Sequence, residues 1–225
     1  MRLRKKPWAR PELEACDFFV SNPTANIGKW HTVFGNSNEI WLELGCGKGG
    51  FISKLASSNP DINFIAVDIK DEVLILAKQK IEKEFASVNL STNNIRLMAH
   101  EIMIIHKILN ENDVVNRIYI NFCNPWHKNT LGARRLTHPN QLNQYKSFLA
   151  PDGQIWFKTD DEILFNASVK YFEQCDFNIS FLTEDLHGSN FDKNVVTEHE
   201  KMYSEQGHKI KFLIAENRSH TIKIK

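Results

Sequence analysis

The chain has 225 residues, of which 42% are hydrophobic and 11% aromatic, and its formal net charge is +1. This length predicts one large domain with a substantial core, and the near-neutral balance excludes a global field that would draw the protein onto polyanions. No run of residues approaches the roughly 18 apolar residues of a membrane span, and the first residues lack the apolar stretch of a signal peptide. We therefore expect a cytoplasmic protein with no membrane contact.

Positive charge is nevertheless concentrated at the N-terminus, where five basic residues precede the first acidic one. These are Arg2, Arg4, Lys5, Lys6 and Arg10. A loop-rich stretch, Ser21 to Asn38, follows them. We predict a single domain over residues 1–225, in which a basic arm of about residues 1–38 precedes the main fold.

The cysteines carry no sign of a metal site. Cys16, Cys46, Cys123 and Cys175 form no C-x-x-C pair, and none has a histidine at zinc spacing. A free cysteine behaves as a small apolar residue in a protein core. We expect reduced packing residues and no bound metal.

From residue 39 onward, apolar patterning predicts strands that alternate with helices. The predicted strands are Glu39–Leu44, Ile62–Asp68, Ile95–Ala99, Arg117–Phe122, Gln154–Lys158, Asn178–Leu182 and Lys209–Ala215. The predicted helices are Gly50–Ser58, Asp71–Val88, Ile102–Asn110, Asn140–Leu149 and Glu162–Cys175. Strands separated by helices indicate an α/β fold with a parallel sheet covered on both faces. A polar loop, Glu184 to Gly207, joins the last two strands, which predicts an antiparallel pair.

A glycine-rich turn between the first strand and the first helix predicts a nucleoside-type cofactor. Bare glycine backbone lets a ligand approach closely, and the helix that follows offers unpaired N–H groups. Gly45, Gly47 and Gly50 fit the G-x-G-x-x-G pattern of dinucleotide binding, whereas Gly45, Gly47 and Gly49 fit the loop that holds S-adenosylmethionine. Glu43 favours the second ligand, because a carboxylate suits a cationic group and would lie poorly beside a pyrophosphate.

Polar residues also end the later strands, where ligands bind in doubly wound sheets. Asp68 follows the second strand, and its carboxylate can accept both ribose hydroxyls of an adenosine or simply precede a helix as a cap. In the stretch after the fourth strand, Pro125 disfavours helix at Asn124. Trp126 there offers a surface for stacking a base. These residues are also compatible with an ordinary turn.

Further along the chain, charged residues suited to a nucleotide or a phosphate follow the same strand ends. Lys128, Arg134 and Arg135 can reach phosphates. Asp160 can accept hydrogen bonds from the Watson–Crick edge of guanine. The segment Thr197 to Glu200 supplies a hydroxyl and two carboxylates, and taken alone it is typical of a capped helix N-terminus.

Together these segments resemble one family, the bacterial tRNA (guanine-N7-)-methyltransferases, over almost the whole chain. The matching stretches are Arg4–Ala9, Leu42–Gly49, Asn121–Lys128, Arg134–Thr137, Phe157–Asp160, Asp185–His187, Ser189–Asn190 and Thr197–Glu200. The resemblance implies a Rossmann-like class I S-adenosylmethionine-dependent methyltransferase fold, with a mostly parallel seven-stranded sheet and an antiparallel last strand. It also implies methylation of a guanine in the tRNA variable loop, by a monomer or a homodimer.

The resemblance further implies roles for individual positions. Cofactor binding falls on Glu43, Asp68, Glu101 and Asn124, beside the glycines Gly45 and Gly47. Contact with the substrate nucleotide falls on Lys128, Asp160, Thr197 and Glu200. We expect Asp160 and Glu200 to hold the guanine, with Asp160 as the catalytic residue that stabilises its developing charge. RNA contact falls on the loop Thr130 to Arg135, including Arg134.

Some positions depart from the family pattern. Asn124 stands where the family usually has an aspartate, which removes a charge near the cationic sulfonium, and the stretch Asn129 to Ala133 carries no charge where the family is more basic. An NAD-dependent dehydrogenase, an exocyclic-amine methyltransferase and a non-catalytic tRNA-binding module remain alternatives on the residues alone. The second alternative arises because Asn124-Pro125-Trp126 resembles the Asn-Pro-Pro-aromatic motif of that class.

Overall fold

The computed structural model describes residues 5–218, and within them seven strands form one mixed sheet. The strands are β1 (Ile40–Leu44), β2 (Asn63–Asp68), β3 (Ile95–Ala99), β4 (Val115–Asn121), β5 (Leu149–Thr159), β6 (Phe177–Thr183) and β7 (Lys211–Asn217). The α-helices of the described residues are α1 (Ala9–Glu14), α2 (Trp30–Phe34), α3 (Gly50–Ser57), α4 (Asp71–Ser87), α5 (Pro139–Lys146), α6 (Glu162–Gln174) and α7 (Glu198–Glu205).

The order of the strands across the sheet is β3-β2-β1-β4-β5-β7-β6. The first five strands run parallel to one another, and β7 lies antiparallel between β5 and β6. The predicted fold class and the antiparallel end of the sheet are therefore confirmed. Because the chain order reverses between β1 and β4, a crevice opens beyond the carboxyl ends of these strands, which is where ligands bind in such sheets.

Both faces of the sheet are buried under helices. In β2, Phe64 and Ala66 face the layer that holds α1, α3 and α4, while Ile65 and Val67 face the layer that holds α2, α5 and α6. This two-sided burial explains why the parallel strands read as nearly continuous apolar runs. The carboxyl ends of the strands are held rigidly at one edge of the sheet as a result.

The N-terminal arm packs against this scaffold through α1. Ala9 and Leu13 are fully buried, and α1 lies along α4. Arg10 forms ion pairs with Glu14 at 3.2 Å and with Asp71 at 3.4 Å. The predicted basic arm therefore contains a docked helix, while Arg2 and Arg4 lie outside the described residues.

The structure differs from the sequence prediction mainly in short helices. The sequence patterns did not indicate α1 and α2, which have six and five residues, because isolated helices of this length are too short to be stable without packing. The capped helix N-terminus that Thr197 to Glu200 indicates on its own is the start of α7. The predicted helix Ile102–Asn110 is instead a 3₁₀ helix, Ile102–Lys107, interrupted by non-helical dihedral angles at Ile104. Isoleucine stiffness next to the preceding turn disfavours regular helix there.

A smaller difference concerns an element boundary. The helix predicted to run to Leu149 ends at Lys146, and Leu149 begins β5 instead. Among the helices of residues 5–218, none is both long and apolar enough to cross a bilayer.

Candidate active site

The glycine turn after β1 is built from residues in left-handed conformations. Gly45, Gly47 and Gly49 have φ values of 81°, 54° and 74°, which side chains other than glycine rarely adopt. A Cβ at Gly49 would lie 2.8 Å from the Cα of Ala77, so this glycine lets α4 approach the turn. At Gly45 nothing lies within 4 Å of such a Cβ. The backbone of Gly45 is therefore open to a ligand.

Two cavities meet at Gly45, and we call them the inner and the outer cavity. The inner cavity has a volume of about 400 Å³ and is lined by residues that include Glu43, Gly45, Gly47, Asn121, Thr197 and His199. The outer cavity has a volume of about 530 Å³ and is lined by residues that include Gly45, Asp68, Glu101, Asn124, Trp126 and Arg134. All six residues predicted to bind the cofactor thus line one continuous path across the glycine turn.

Glu43 is a buried carboxylate with only one of its oxygens satisfied. Its Oε1 accepts a hydrogen bond from Asn121 Nδ2 at 3.2 Å, and its Oε2 has no hydrogen-bond partner within the described residues. Burial raises the pKa of Glu43 to about 8, although the hydrogen bond from Asn121 acts in the opposite direction. A buried oxygen without a partner is costly, so Glu43 has an unused hydrogen-bonding position beside the inner cavity.

Asp68 combines a structural role with a free side at the outer cavity. Its Oδ2 accepts from Gly47 N at 3.0 Å, and its Oδ1 accepts from Ile69 N at 2.7 Å and Lys70 N at 3.2 Å. These bonds fix the glycine turn against the end of β2. Since a carboxylate has about four acceptor positions, Asp68 keeps capacity for hydroxyl groups.

The loop after β4 holds an unusual backbone that faces the outer cavity. Phe122 and Trp126 have φ values of 49° and 45°, and non-glycine residues in this region are typical of functional sites where surrounding contacts maintain the strain. Asn124 is exposed between them, and its Oδ1 accepts from Trp126 N at 3.2 Å. The loop therefore presents Asn124 to the cavity in a fixed conformation.

The two arginines that follow this loop have different surroundings. Arg134 is exposed, and its guanidinium lies 5.4 Å from the ring centroid of Trp126. Arg135 is only 8% exposed, and it donates from Nε to Pro125 O at 2.9 Å and from Nη2 to Trp126 O at 3.4 Å. Arg135 was expected to contact RNA, but its side chain is buried and holds the loop through these two carbonyl groups. Lys128 and Thr130 are exposed on the same segment.

Glu200 also differs from its expected role at the substrate. It is fully buried, and its Oε2 lies 2.7 Å from Lys158 Nζ, while its Oε1 accepts from Asn194 Nδ2 at 2.7 Å. It also closes the capping box of α7 with Thr197, whose Oγ1 accepts from Glu200 N at 2.9 Å. Glu200 therefore holds α7 to β5 and does not face the cavity.

One side of the inner cavity is formed by residues of α7 and by Thr197, which caps this helix. His199 stacks on Tyr203 with ring centroids 4.2 Å apart and packs against Phe122 at 4.5 Å. Its Nε2 lies 3.5 Å from Asp160 Oδ1. This contact brings the predicted catalytic residue beside the cavity that Thr197 and His199 line.

Three residues of this site received no role from the sequence: Asn121, Lys158 and His199. Lys158 is the one with a recognisable signal, because a lysine inside the apolar run of β5 must find a buried partner. Asn121 and His199 belong to matched stretches but owe their positions to contacts made across the fold. Within residues 5–218, no group of histidine, cysteine and acidic side chains is arranged to hold a metal ion.

Comparisons with known proteins identify the family. A family profile described as a putative methyltransferase matches residues 37–213. A tRNA (guanine-N(7)-)-methyltransferase of Acetivibrio thermocellus is 74% identical over 97% of this chain and 100% of its own length. One from Clostridium beijerinckii is 62% identical over 96% of this chain and 98% of its own length. The chain belongs to the tRNA (guanine-N(7)-)-methyltransferase family. The resemblance predicted from the sequence is confirmed.

Solved structures support the fold of this family member independently. An antibiotic-related methyltransferase superposes with a TM-score of 0.59 at 16% identity, over 85% of this chain and 93% of that one. A 16S rRNA methyltransferase, KamB, gives a TM-score of 0.60 at 10% identity, over 85% and 93% of the two chains. At these identities the likeness shows the fold alone.

Proposed function

We propose that the protein transfers a methyl group from S-adenosylmethionine to N7 of a guanine in the variable loop of tRNA. One observation carries this proposal: the six predicted cofactor residues line two cavities that meet at Gly45, in a chain of this family. The fold and the family support S-adenosylmethionine as the methyl donor. Since the substrate is tRNA, we also propose that the enzyme works in the cytoplasm, as a monomer or a homodimer.

The residues present fit this cofactor at both ends. The unpartnered Oε2 of Glu43 is an acceptor for the ammonium group, and its burial strengthens that charge-assisted contact. Asp68 is the acceptor for the ribose hydroxyls in the outer cavity, with Glu101 and Asn124 beside it. The open backbone at Gly45 lets the cofactor pass between the cavities.

The substrate nucleotide is held at the inner cavity, on the side of α7. Bound S-adenosylmethionine supplies a methyl group on a positively charged sulfur. Guanine N7 carries a lone pair in neutral RNA, so no residue has to remove a proton before the attack. Asp160 accepts hydrogen bonds from the guanine and stabilises the positive charge that develops on its ring. Positioning of this kind can supply about 7–11 kcal/mol of the barrier.

Glu200 and Arg135 act on the substrate indirectly in this proposal. Glu200 fixes α7, so that Thr197 and His199 stay at the rim of the inner cavity. Arg135 fixes the loop that carries Asn124 and Trp126. The phosphates of the RNA are contacted by exposed cations instead, which are Lys128 and Arg134 near the cavity and Lys5 on the arm.

The decisive experiment is incubation of the purified protein with unmodified tRNA and methyl-labelled S-adenosylmethionine, followed by nucleoside analysis. We expect the label in N7-methylguanosine, and none with tRNA whose variable-loop guanine is replaced. Label on an exocyclic amine, or no transfer at all, would contradict the proposal. Repeating the assay at rising salt should raise KM for tRNA steeply, because phosphate contacts release counterions.

A matched pair of variants tests the assignment of Asp160. Asp160→Asn keeps the size of the side chain and removes its charge, so we expect turnover to fall by roughly 10²-fold or more, as for the loss of one electrostatic group in an active site. Asp61→Asn makes the same change at an exposed position before β2 and should leave turnover unchanged. Full turnover of Asp160→Asn with unchanged substrate affinity would refute the role.

A further inference from the structure

A third cavity lies on the sheet face behind the active site, and we call it the back cavity. Its volume is about 220 Å³, and its lining includes none of the residues Gly45, Gly47 and Asp68 that define the cofactor path. Two of its walls, Phe51 and Asn121, also line the inner cavity. The back cavity is therefore adjacent to the active site but separate from it.

The walls of the back cavity are mainly aromatic. Trp41 on β1, Tyr119 on β4 and Trp156 on β5 lie side by side across the sheet, and Phe51 of α3 covers them. The ring centroids of Tyr119 and Trp156 are 5.5 Å apart at an interplanar angle of 66°. Aromatic side chains attract further rings in stacked or edge-to-face arrangements, so these walls suit an aromatic ligand.

The charge of the lining is entirely positive. Arg117, Lys158 and Lys193 contribute to the walls, and no aspartate or glutamate does. Lys158 forms an ion pair with Glu200, with Nζ 2.7 Å from Oε2. Within the described residues, neither Arg117 nor Lys193 takes part in an ion pair. An uncompensated pair of cations beside aromatic walls indicates an anionic partner.

Arg117 is the centre of this arrangement. Its guanidinium lies 4.1 Å from the ring centroid of Trp41 and 4.4 Å from that of Trp156, and Nη1 donates to Tyr119 Oη at 3.3 Å. Its Nε is buried and has no hydrogen-bond partner within the described residues. Stacking on both faces leaves only the edge of the guanidinium for hydrogen bonds, which is the edge that binds carboxylates and phosphates.

We propose that the back cavity is a second ligand site, for a small planar aromatic anion. The anionic group, a carboxylate or a phosphate, is held by the edge of Arg117 and by Lys193, and the ring lies among Trp41, Trp156 and Phe51. The volume is below the roughly 300–1,000 Å³ of pockets for drug-sized ligands, so the ligand has one or two fused rings. S-Adenosylmethionine is too large for it and carries the wrong charge.

Calorimetric titration of the full-length protein tests this proposal, with saturating S-adenosylhomocysteine to fill the cofactor path. The probes are 1-naphthoate, 1-naphthyl phosphate and the neutral 1-naphthylmethanol. We expect both anions to bind once per chain below about 1 mM and the neutral probe to bind at least tenfold more weakly; the tighter of the two anions identifies the preferred group. No saturable binding of either anion, or equal binding of the neutral probe, would overturn the proposal.

Three variants locate the bound probe. Arg117→Gln should weaken anion binding at least tenfold, and Lys193→Gln should weaken it severalfold; Lys193 is exposed, so this variant remains informative if the first one does not fold. Arg134→Gln removes a cation from the outer cavity and should leave anion binding unchanged. Binding that is lost in Arg134→Gln but retained in both other variants would place the probe in the cofactor path and refute the second site.

Discussion

Two buried glutamates, Glu43 on β1 and Glu200 on α7, have opposite surroundings. Glu200 has both oxygens occupied by Lys158 and Asn194, and it also closes a helix cap with Thr197. Glu43 is equally inaccessible, at 2% exposure, but one of its oxygens is unpartnered. The partners of Glu200 are supplied by the chain and hold α7 to β5, whereas we propose that the missing partner of Glu43 is the cofactor.

The surrounding charges agree with this distinction. Glu200 has the cation of Lys158 beside it, although burial lowers the pKa of that lysine. Glu43 forms no ion pair within the described residues; the charge of Lys158 acts to lower its pKa, but burial outweighs this effect and the pKa rises to about 8. The free protein does not fully offset the cost of burying the carboxylate of Glu43. We expect a bound cationic group to offset it, and this contact then contributes to the affinity for the cofactor.

Breaking the Lys158–Glu200 pair should give the largest effect on stability. Glu200→Gln leaves the ammonium of Lys158 buried without a counter-charge, and removal of one partner of a buried ion pair costs about 3–5 kcal/mol. We expect the free energy of unfolding, measured with denaturant, to fall by this amount. Activity should fall as well, because α7 loses its anchor to β5.

The double variant Lys158→Met with Glu200→Leu serves as the control. Replacing a buried pair by apolar residues is often close to neutral, so most of the lost stability should return. A single Glu200→Gln variant as stable as the original protein would show that the pair does not hold α7, and the contrast with Glu43 would fail.

Glu43→Gln should differ from Glu200→Gln: we expect a large loss of affinity for S-adenosylmethionine and no loss in the free energy of unfolding. Hydrogen bonds to charged groups contribute about 1.5–3 kcal/mol, so the affinity for S-adenosylmethionine should fall roughly 10- to 100-fold by calorimetry. The amide still accepts from Asn121. Unchanged affinity would mean that the unpartnered oxygen does not face the cofactor.

The pH dependence sharpens the same test. The pKa of Glu43 is raised from 4.5 in the unfolded chain to about 8 in the fold, so the folded state holds the extra proton between these values. The free energy of unfolding contributed by Glu43 therefore falls as pH rises through this window, by up to about 1.4 kcal/mol per unit. Cofactor affinity should rise with pH up to about 8 and then level off, and Glu43→Gln should lose both dependences.

Features that depend on residues close together in the chain could be predicted from the sequence. The glycine turn, Glu43 and Asp68 depend on residues adjacent in the chain, where a strand meets a helix, and all of them line the two cavities that meet at Gly45. The seven strands were predicted for the same reason, since nearly continuous apolar runs mark the parallel strands that are buried on both faces.

The directions of the Glu200 and Arg135 side chains could not be predicted, because they depend on partners that only the folded chain brings close. Glu200 turns inward to meet Lys158, which lies 42 positions earlier in the chain, and Arg135 turns inward to reach the carbonyl of Pro125. Family motifs identify residues that matter at a site, but they do not distinguish a residue that touches the substrate from one that holds such a residue in place. The structure supplies that distinction here.

Asn124→Asp should produce the smallest effect, an increase in cofactor affinity. The aspartate keeps the acceptor for Trp126 N, so the loop conformation is retained. It adds a negative charge beside the cationic cofactor at an exposed position, where charge pairs contribute only about 0.2–1 kcal/mol. We expect roughly two- to fivefold tighter binding of S-adenosylmethionine at low salt and a smaller gain at high salt. Asn124→Ala, which removes the acceptor without adding charge, should weaken binding instead, and tighter binding in both variants would rule out an electrostatic cause.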